Sequence, residues 1–434
     1  MNNEVVIFWF RRDLRLNDNH ALYQALNSGY KVLPIFIFDK NILSHLPRKD
    51  KRVCLIYDKI QELNDELHAQ YHSGIRVFYD YPENAFLQIL DKYRVKAVYT
   101  NKDYEPYAIK RDKAIEKLLT DKNVLFHVYK DHVLFEENEV MKDDGLPYLV
   151  FTRYAKAWKQ KLKNTLNDNI PIFPSEKYLY NLLEVGEKLP VPSLKEMNFD
   201  ETDYTLLPLL ADEDTLMNYA KTRDRIDMEH GTSHASVYLR FGMVSTRELL
   251  LKGLRYNHRF LDELIWREFF QMILFHYPQS AFQNFRENYV VEWENNEEWF
   301  ELWKQGKTGF PIIDAAMHEL NATGYMHNRC RMIVANFLTK ILLIDWRWGE
   351  KYFAEKLMDY EMASNVGNWQ WAAGTGVDAA PYFRIFNPYL QQEKFDPDYK
   401  YVKRWIPDFQ KDNYIKPIVN YEERRKRALT VLKG

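Results

Sequence analysis

Residues 5–16 read Val5-Val-Ile-Phe-Trp-Phe10-Arg-Arg-Asp-Leu-Arg-Leu16: six β-branched or aromatic residues, then a charged turn. A continuous apolar run of that length suits a strand buried on both faces. Four more such runs occur before residue 130, at Val32–Phe38, Ile75–Tyr79, Ala97–Thr100 and Val124–Tyr129, with helical stretches between them. This alternation predicts a five-stranded parallel sheet, doubly wound by helices in the Rossmann manner. A dinucleotide-binding version would carry GxGxxG after the first strand. Arg11-Arg12-Asp13 stands there instead, so the expectation is that topology without a nicotinamide nucleotide.

Outward from this α/β domain, read as residues 1–130, the pattern loosens. Pro147, Pro171, Pro174, Pro190 and Pro192 interrupt residues 131–199, which read as a long connector. Residues 200–434 then read as an all-helical domain, with apolar residues at helical spacing in 244–257, 259–275, 311–322, 327–343 and 349–359. A chain of 434 residues exceeds one ordinary core, which agrees with a multidomain reading.

Composition narrows the function classes. The two cysteines, Cys54 and Cys330, exclude a disulfide framework and a thiolate zinc site, and no metal centre is expected. The N-terminus lacks a basic signal region, and the apolar run near Ile333–Trp346 is broken by Lys340 and Asp345. A cytoplasmic, membrane-free monomer with no obligate protein partner is the expectation. With a net charge of −2, no global field draws the chain to nucleic acid, so such binding would need a local patch. Residues 401–434 carry nine Lys and Arg against four Asp and Glu, but a solvated basic helix accounts for that tail.

Nine of the eleven tryptophans fall between Trp266 and Trp405. Packing explains Trp299, Trp303, Trp348 and Trp405. In the stretch 259–275, Glu263, Trp266, Arg267 and Phe270 share one helical face, mixing a carboxylate, an indole, a guanidinium and a ring. A wet cavity and a surface ion pair beside a core tryptophan both fit that spacing. Asn328, Arg331 and Met332 share a second face, suited either to reading a base or to a buried pair with core packing. Thr232, Ser233 and Ser236 gather hydroxyls at a helix start, as a phosphate cradle or an ordinary cap would, with Tyr219 and Arg223 upstream. Asp359 to Gly376 surrounds Trp369 and Trp371 with Gly, Ala and Asn, which permit close approach of a ligand or of another helix.

Five motifs together settle what these patterns leave open. They are Phe8-Trp-Phe-Arg-Arg-Asp-Leu-Arg-Leu-Asn-Asp-Asn19, Glu263-Leu-Ile-Trp-Arg-Glu268, Gly306-Lys-Thr-Gly-Phe-Pro311, Met326-His-Asn-Arg329, and Asn368-Trp-Gln-Trp371 through Phe383-Arg-Ile-Phe-Asn-Pro388. The chain resembles the DNA photolyase/cryptochrome family over nearly its whole length, most densely from Glu263 to Pro388, and within it class I cyclobutane pyrimidine dimer photolyases.

The resemblance implies an α/β antenna domain and an all-α domain holding FAD, active as FADH⁻. It implies that Thr232, Ser233 and Ser236 contact the FAD phosphates with Tyr219 and Arg223 nearby, and that Arg331, Asp359 and Glu361 flank the isoalloxazine. Asn365 matches the residue facing flavin N5, where an uncharged amide favours full reduction. Trp369, Trp346 and Trp293 match an electron-transfer triad. Glu263, Trp266, Asn328, Arg329, Met332, Trp371 and Arg384 match the lining of the dimer pocket, with Arg267 beside Trp266 in the same motif.

The activity implied is light-driven repair of cyclobutane pyrimidine dimers in DNA. The alternatives are a signalling cryptochrome and a (6-4) photoproduct photolyase. Against the first stands the chain's end at Gly434 soon after the last matched helix; against the second stands Asn328-Arg329 where (6-4) enzymes carry a His pair. Ala235, Val237 and Thr152-Arg153 depart from residues frequent in the family. Tyr104-Glu105 resembles an acidic contact of folate-binding members, so an antenna such as methenyltetrahydrofolate or a deazaflavin is a further expectation.

Overall fold

The computed structural model describes residues 4–167 and 169–433. They form two compact units, each discontinuous in the chain. The first takes residues 4–139, Lys161–Leu207 and Ser236–Leu251; the second takes Val140–Gln160, Pro208–Ala235 and residues 252–433. The stretch 131–199 is therefore divided between the two units, and residues 236–251 belong with the sheet.

The first unit holds five parallel strands: β1 Glu4–Phe10, β2 Lys31–Asp39, β3 Arg76–Asp80, β4 Arg94–Asn101 and β5 Leu125–Tyr129, in the order β3-β2-β1-β4-β5. β1 lies at the centre, paired in register Val6↔Val32 with β2 and Val6↔Ala97 with β4. Its six residues Val5–Phe10 are all buried, as an uninterrupted apolar run in a covered parallel sheet should be. The turn after β1 leads to helix His20–Leu26, whose N-cap Asn19 accepts a hydrogen bond from the Leu22 amide.

Four buried charges tie this unit together. Asp131 accepts from Arg15 and Arg247 at 2.8 and 2.9 Å, and Asp18 accepts from Arg247 at 2.9 Å and from the Phe173 amide at 2.8 Å. Burial alone would raise the Asp131 carboxyl. Arg15 and Arg247 outweigh burial and hold it well below the usual carboxylate range. Glu105 is likewise engaged, by Arg12 at 3.1 Å and Arg240 at 2.9 Å.

The second unit is helical. Helices Pro311–Thr323, Asn328–Asn336, Trp346–Lys356 and Met362–Ala373 surround an apolar core that includes Trp303, Trp346 and Trp369, with Trp293 packed against it, and helix His258–His276 packs on Met362–Ala373. Gly349 lets two helices meet closely, because a Cβ there would overlap the Trp369 ring. No described helix is long and apolar enough to cross a membrane.

Candidate active site

Two helices of the second unit wall an open cavity. Helix Asn328–Asn336 contributes Asn328, Arg331, Met332 and Ala335, spaced i, i+3, i+4, i+7. Helix Met362–Ala373 and its N-cap contribute Glu361, Ser364, Asn365, Asn368, Trp369 and Ala372, again one helical stripe, with Trp371 beside it. Asp359, Tyr360, Phe353 and Leu357 complete the wall. Eight residues singled out in the sequence thus share one cavity: Asn328, Arg331, Met332, Asp359, Glu361, Asn365, Trp369 and Trp371.

Hydrogen bonds orient this wall. Arg331 donates to Asp359 at 2.7 Å and to the Met326 carbonyl at 2.7 Å. Burial opposes the charge on Arg331, but Asp359 beside it raises its pKa above the ordinary guanidinium value. Glu361 accepts from Arg267 at 3.0 Å, Gln271 at 3.1 Å and Ser364 at 3.1 Å. Asn365 donates through Nδ2 to the Glu350 carbonyl at 3.2 Å and its carboxylate at 2.9 Å, so Oδ1 is its remaining hydrogen-bonding atom. Burial raises the Glu350 carboxyl, and the Asn365 bond only partly offsets that.

A second cluster in the same unit joins the other polar candidates. Glu263 pairs with Arg223, whose guanidinium lies 5.7 Å from the Tyr219 ring centroid, and with Arg259 at 3.6 Å. Arg329 pairs with Asp224 at 2.7 Å. Thr232 reaches the Tyr325 hydroxyl at 3.4 Å, and the Arg331 guanidinium stands 6.0 Å from that ring. Ser233 accepts through Oγ from the Ala235 amide at 3.4 Å, at the start of helix Ala235–Arg240. Ser236, exposed on that helix, falls in the first unit.

The remaining candidates lie off the cavity wall. Trp266 stacks face to face on Phe151 with ring centroids 3.6 Å apart, and Phe270 is buried beneath Gly367. Trp346 is buried with its indole N–H on Asn284 at 2.9 Å, and Trp293 is partly buried. Arg384 is exposed, 5.6 Å from the Trp371 ring centroid. Ser364, Asn368 and Tyr360 were not singled out in the sequence, although Ser364 and Asn368 follow Glu361 at i+3 and i+7, a spacing that was there to be read.

The wall suits a flavin. It pairs small residues and indoles with a cation, a carboxylate and an amide, and Asp359 Oδ1 is buried without a partner among the described residues. A ring system with N–H and carbonyl groups meets that demand.

Comparison with known proteins agrees. Residues 6–174 match the family model "DNA photolyase", and residues 260–413 match "FAD binding domain of DNA photolyase". The chain is 36% identical to the deoxyribodipyrimidine photo-lyase of Vibrio cholerae, covering 93% of this chain and 90% of that one. Its fold matches a class III photolyase from Agrobacterium tumefaciens with a TM-score of 0.84 at 31% identity, covering 99% and 97% of the two chains. It also matches a cryptochrome from Synechocystis with a TM-score of 0.83 at 26% identity, covering 99% of each chain. The chain belongs to the DNA photolyase family, and its helical unit carries that family's FAD-binding domain.

Proposed function

We propose that this chain repairs cyclobutane pyrimidine dimers in DNA by light-driven electron transfer. The observation that carries this reading is one cavity walled by two chemistries. Arg331, Asp359 and Asn365 suit a flavin ring, while Asn328, Met332 and Trp371 suit a pair of linked bases. A dimer stacks and pairs poorly, so turning it out of the duplex costs less than turning out a normal base.

Light absorption and reversible transfer of one electron are what the flavin supplies when bound. The protein does the rest by position. Trp371 offers an indole face to the bases, and Asn328 and Arg329 offer donors to their carbonyls. Met332 fills against the ring with a polarizable sulfur. Glu263, oriented by Arg223 and Arg259, accepts from base N–H groups. Asn365, fixed through Nδ2 by Glu350, keeps Oδ1 for a donor within the cavity. Trp369, Trp346 and Trp293 run from buried to partly exposed around one core, a route by which electrons reach the cavity from outside.

The test irradiates reduced protein with blue light on duplexes containing either a cyclobutane dimer or a (6-4) photoproduct. Loss of the cyclobutane dimer alone supports the reading; restoration of the (6-4) duplex alone overturns it. No repair by protein that binds flavin and is photoreduced favours the photoreceptor reading, which likeness to the Synechocystis cryptochrome keeps in view. Trp346→Phe is expected to slow photoreduction of oxidised protein while chemically reduced protein keeps its repair rate. If both rates collapse together, the triad assignment fails.

A further inference from the structure

Helix Asn328–Asn336 does not simply end: it continues into a π-turn at Phe337–Ile341, which carries a fully buried lysine, Lys340. Lys340 Nζ donates to the carbonyls of Pro381 at 2.9 Å and Arg384 at 3.2 Å. Asn336, also buried and four residues earlier, donates to the Arg384 carbonyl at 3.2 Å and accepts from the Phe386 amide at 2.8 Å. Two side chains therefore grip the turn Pro381–Phe386 by four hydrogen bonds to three backbone groups. Outside the grip, Phe383 is 63% exposed and the exposed Arg384 guanidinium leans toward Trp371 on the cavity wall.

We infer that Lys340 is a positioning residue for DNA binding: its ammonium, with Asn336, holds the Pro381–Phe386 turn so that Phe383 and Arg384 meet the duplex beside the cavity. This rests on the repair reading, which gives Arg384 its substrate. Burying a cation without a carboxylate has a cost, and carbonyl dipoles are its only bonded compensation among the described residues. The charged groups around Lys340 are cations too: Arg384 in the turn itself, and Arg424 of helix Tyr421–Val431, which bonds the Ile341 and Leu342 carbonyls and is neutralised by Glu294. Burial first, and the Arg384 charge second, push the Lys340 amine down to about 8. A phosphate on Arg384 relieves the second effect, so DNA binding and proton retention at Lys340 favour each other. Above that pH the grip loses its charge-assisted bonds, which are about twice as strong as neutral ones.

Trypsin reads the grip directly, because the Arg384 carbonyl that Lys340 and Asn336 hold is the one it must attack. Cleavage at Arg384–Ile385 in flavin-loaded protein is compared, in the same digest, with cleavage at the exposed Arg48–Lys49 bond. The expected ratio rises about tenfold from pH 7 to 9 in the wild type, and is already high and flat with pH in Lys340→Met. The dissociation constant for a dimer-containing duplex should rise with it in the wild type and be raised at pH 7 in the variant. A ratio that ignores both pH and substitution overturns the grip. A ratio that responds while DNA affinity does not overturns the positioning role. Should Lys340→Met fail to retain flavin, the wild-type pH series alone decides. If the wild type never prefers dimer-containing DNA, the repair reading has failed instead, and the cleavage ratio still judges the grip.

Discussion

Both units bury charged side chains, yet the burial serves different ends. In the first unit every carboxylate oxygen of Asp18 and Asp131 accepts a bond from within the unit, from Arg15, Arg247, Ser245, Phe173 or His20. At the cavity of the second unit Asp359 has one oxygen on Arg331 and the other without a partner among the described residues. Saturated carboxylates hold a fold together. Unsaturated ones await something else. The difference shows that burial of charge alone does not mark a site; an orphaned carboxylate oxygen in a cavity wall is the sharper sign, since among the described residues Arg15 Nε is orphaned in the first unit too.

The sharpest way to break this contrast is Arg247→Met. It leaves Asp18 without its cation and Asp131 with Arg15 alone in the core of the first unit, and should lower that unit's stability by about 3–5 kcal/mol, read as a lower unfolding midpoint in calorimetry. Flavin content per folded chain should not change; a loss of flavin without loss of stability would erase the distinction. Because Asp131 is held below the usual carboxylate range, its contribution is present above about pH 4 and is lost as pH falls further.

The second unit should answer pH with the opposite sign. Burial pushes Glu319, which accepts from the Tyr401 hydroxyl at 2.5 Å, up from 4.5 to about 7. A carboxyl raised in the folded state is stabilising only while protonated. The second unit should therefore lose on the order of 3 kcal/mol as pH rises from about 4.5 to 7, and Glu319→Gln should flatten that slope in urea titrations. An unchanged slope would show that Glu319 does not titrate in this window. Smaller still is the effect expected of Asp359→Asn, which keeps the shape of the cavity wall but removes the charge facing Arg331. FAD should dissociate about tenfold to a hundredfold more readily, by fluorescence titration, with little change in melting. Equal losses in both units' stability would mean that Asp359 is a fold residue like Asp131.

The sheet was legible because a strand covered on both faces leaves a continuous apolar run, as Val5–Phe10 does, and a helix leaves a 3.6-residue stripe. The same stripe made one wall of the cavity legible, Asn328, Arg331 and Met332; Glu361, Asn365 and Trp369 on the other helix came from motif resemblance. Roles for the individual tryptophans came from motif resemblance, since Trp303 and Trp369 look alike in composition and only their surroundings differ.

What remained hidden was of another kind. The Phe151 ring on Trp266 joins residues 115 positions apart, and Lys340 meets its turn more than 40 residues on. Neither contact leaves a periodic trace. Residues 236–251 likewise read as part of a helical domain by their pattern, and only their contacts put them with the sheet.

The sequence by itself therefore determined the strands, their parallel sheet and the helical second half, because local patterning is set by the face each element buries, and its motifs carried the family. Tertiary structure alone decided which buried charges are saturated, which face of Trp266 is covered, and that a buried lysine grips the turn carrying Arg384. Those facts depend on distances between segments far apart in the chain, and a linear pattern carries no such distances.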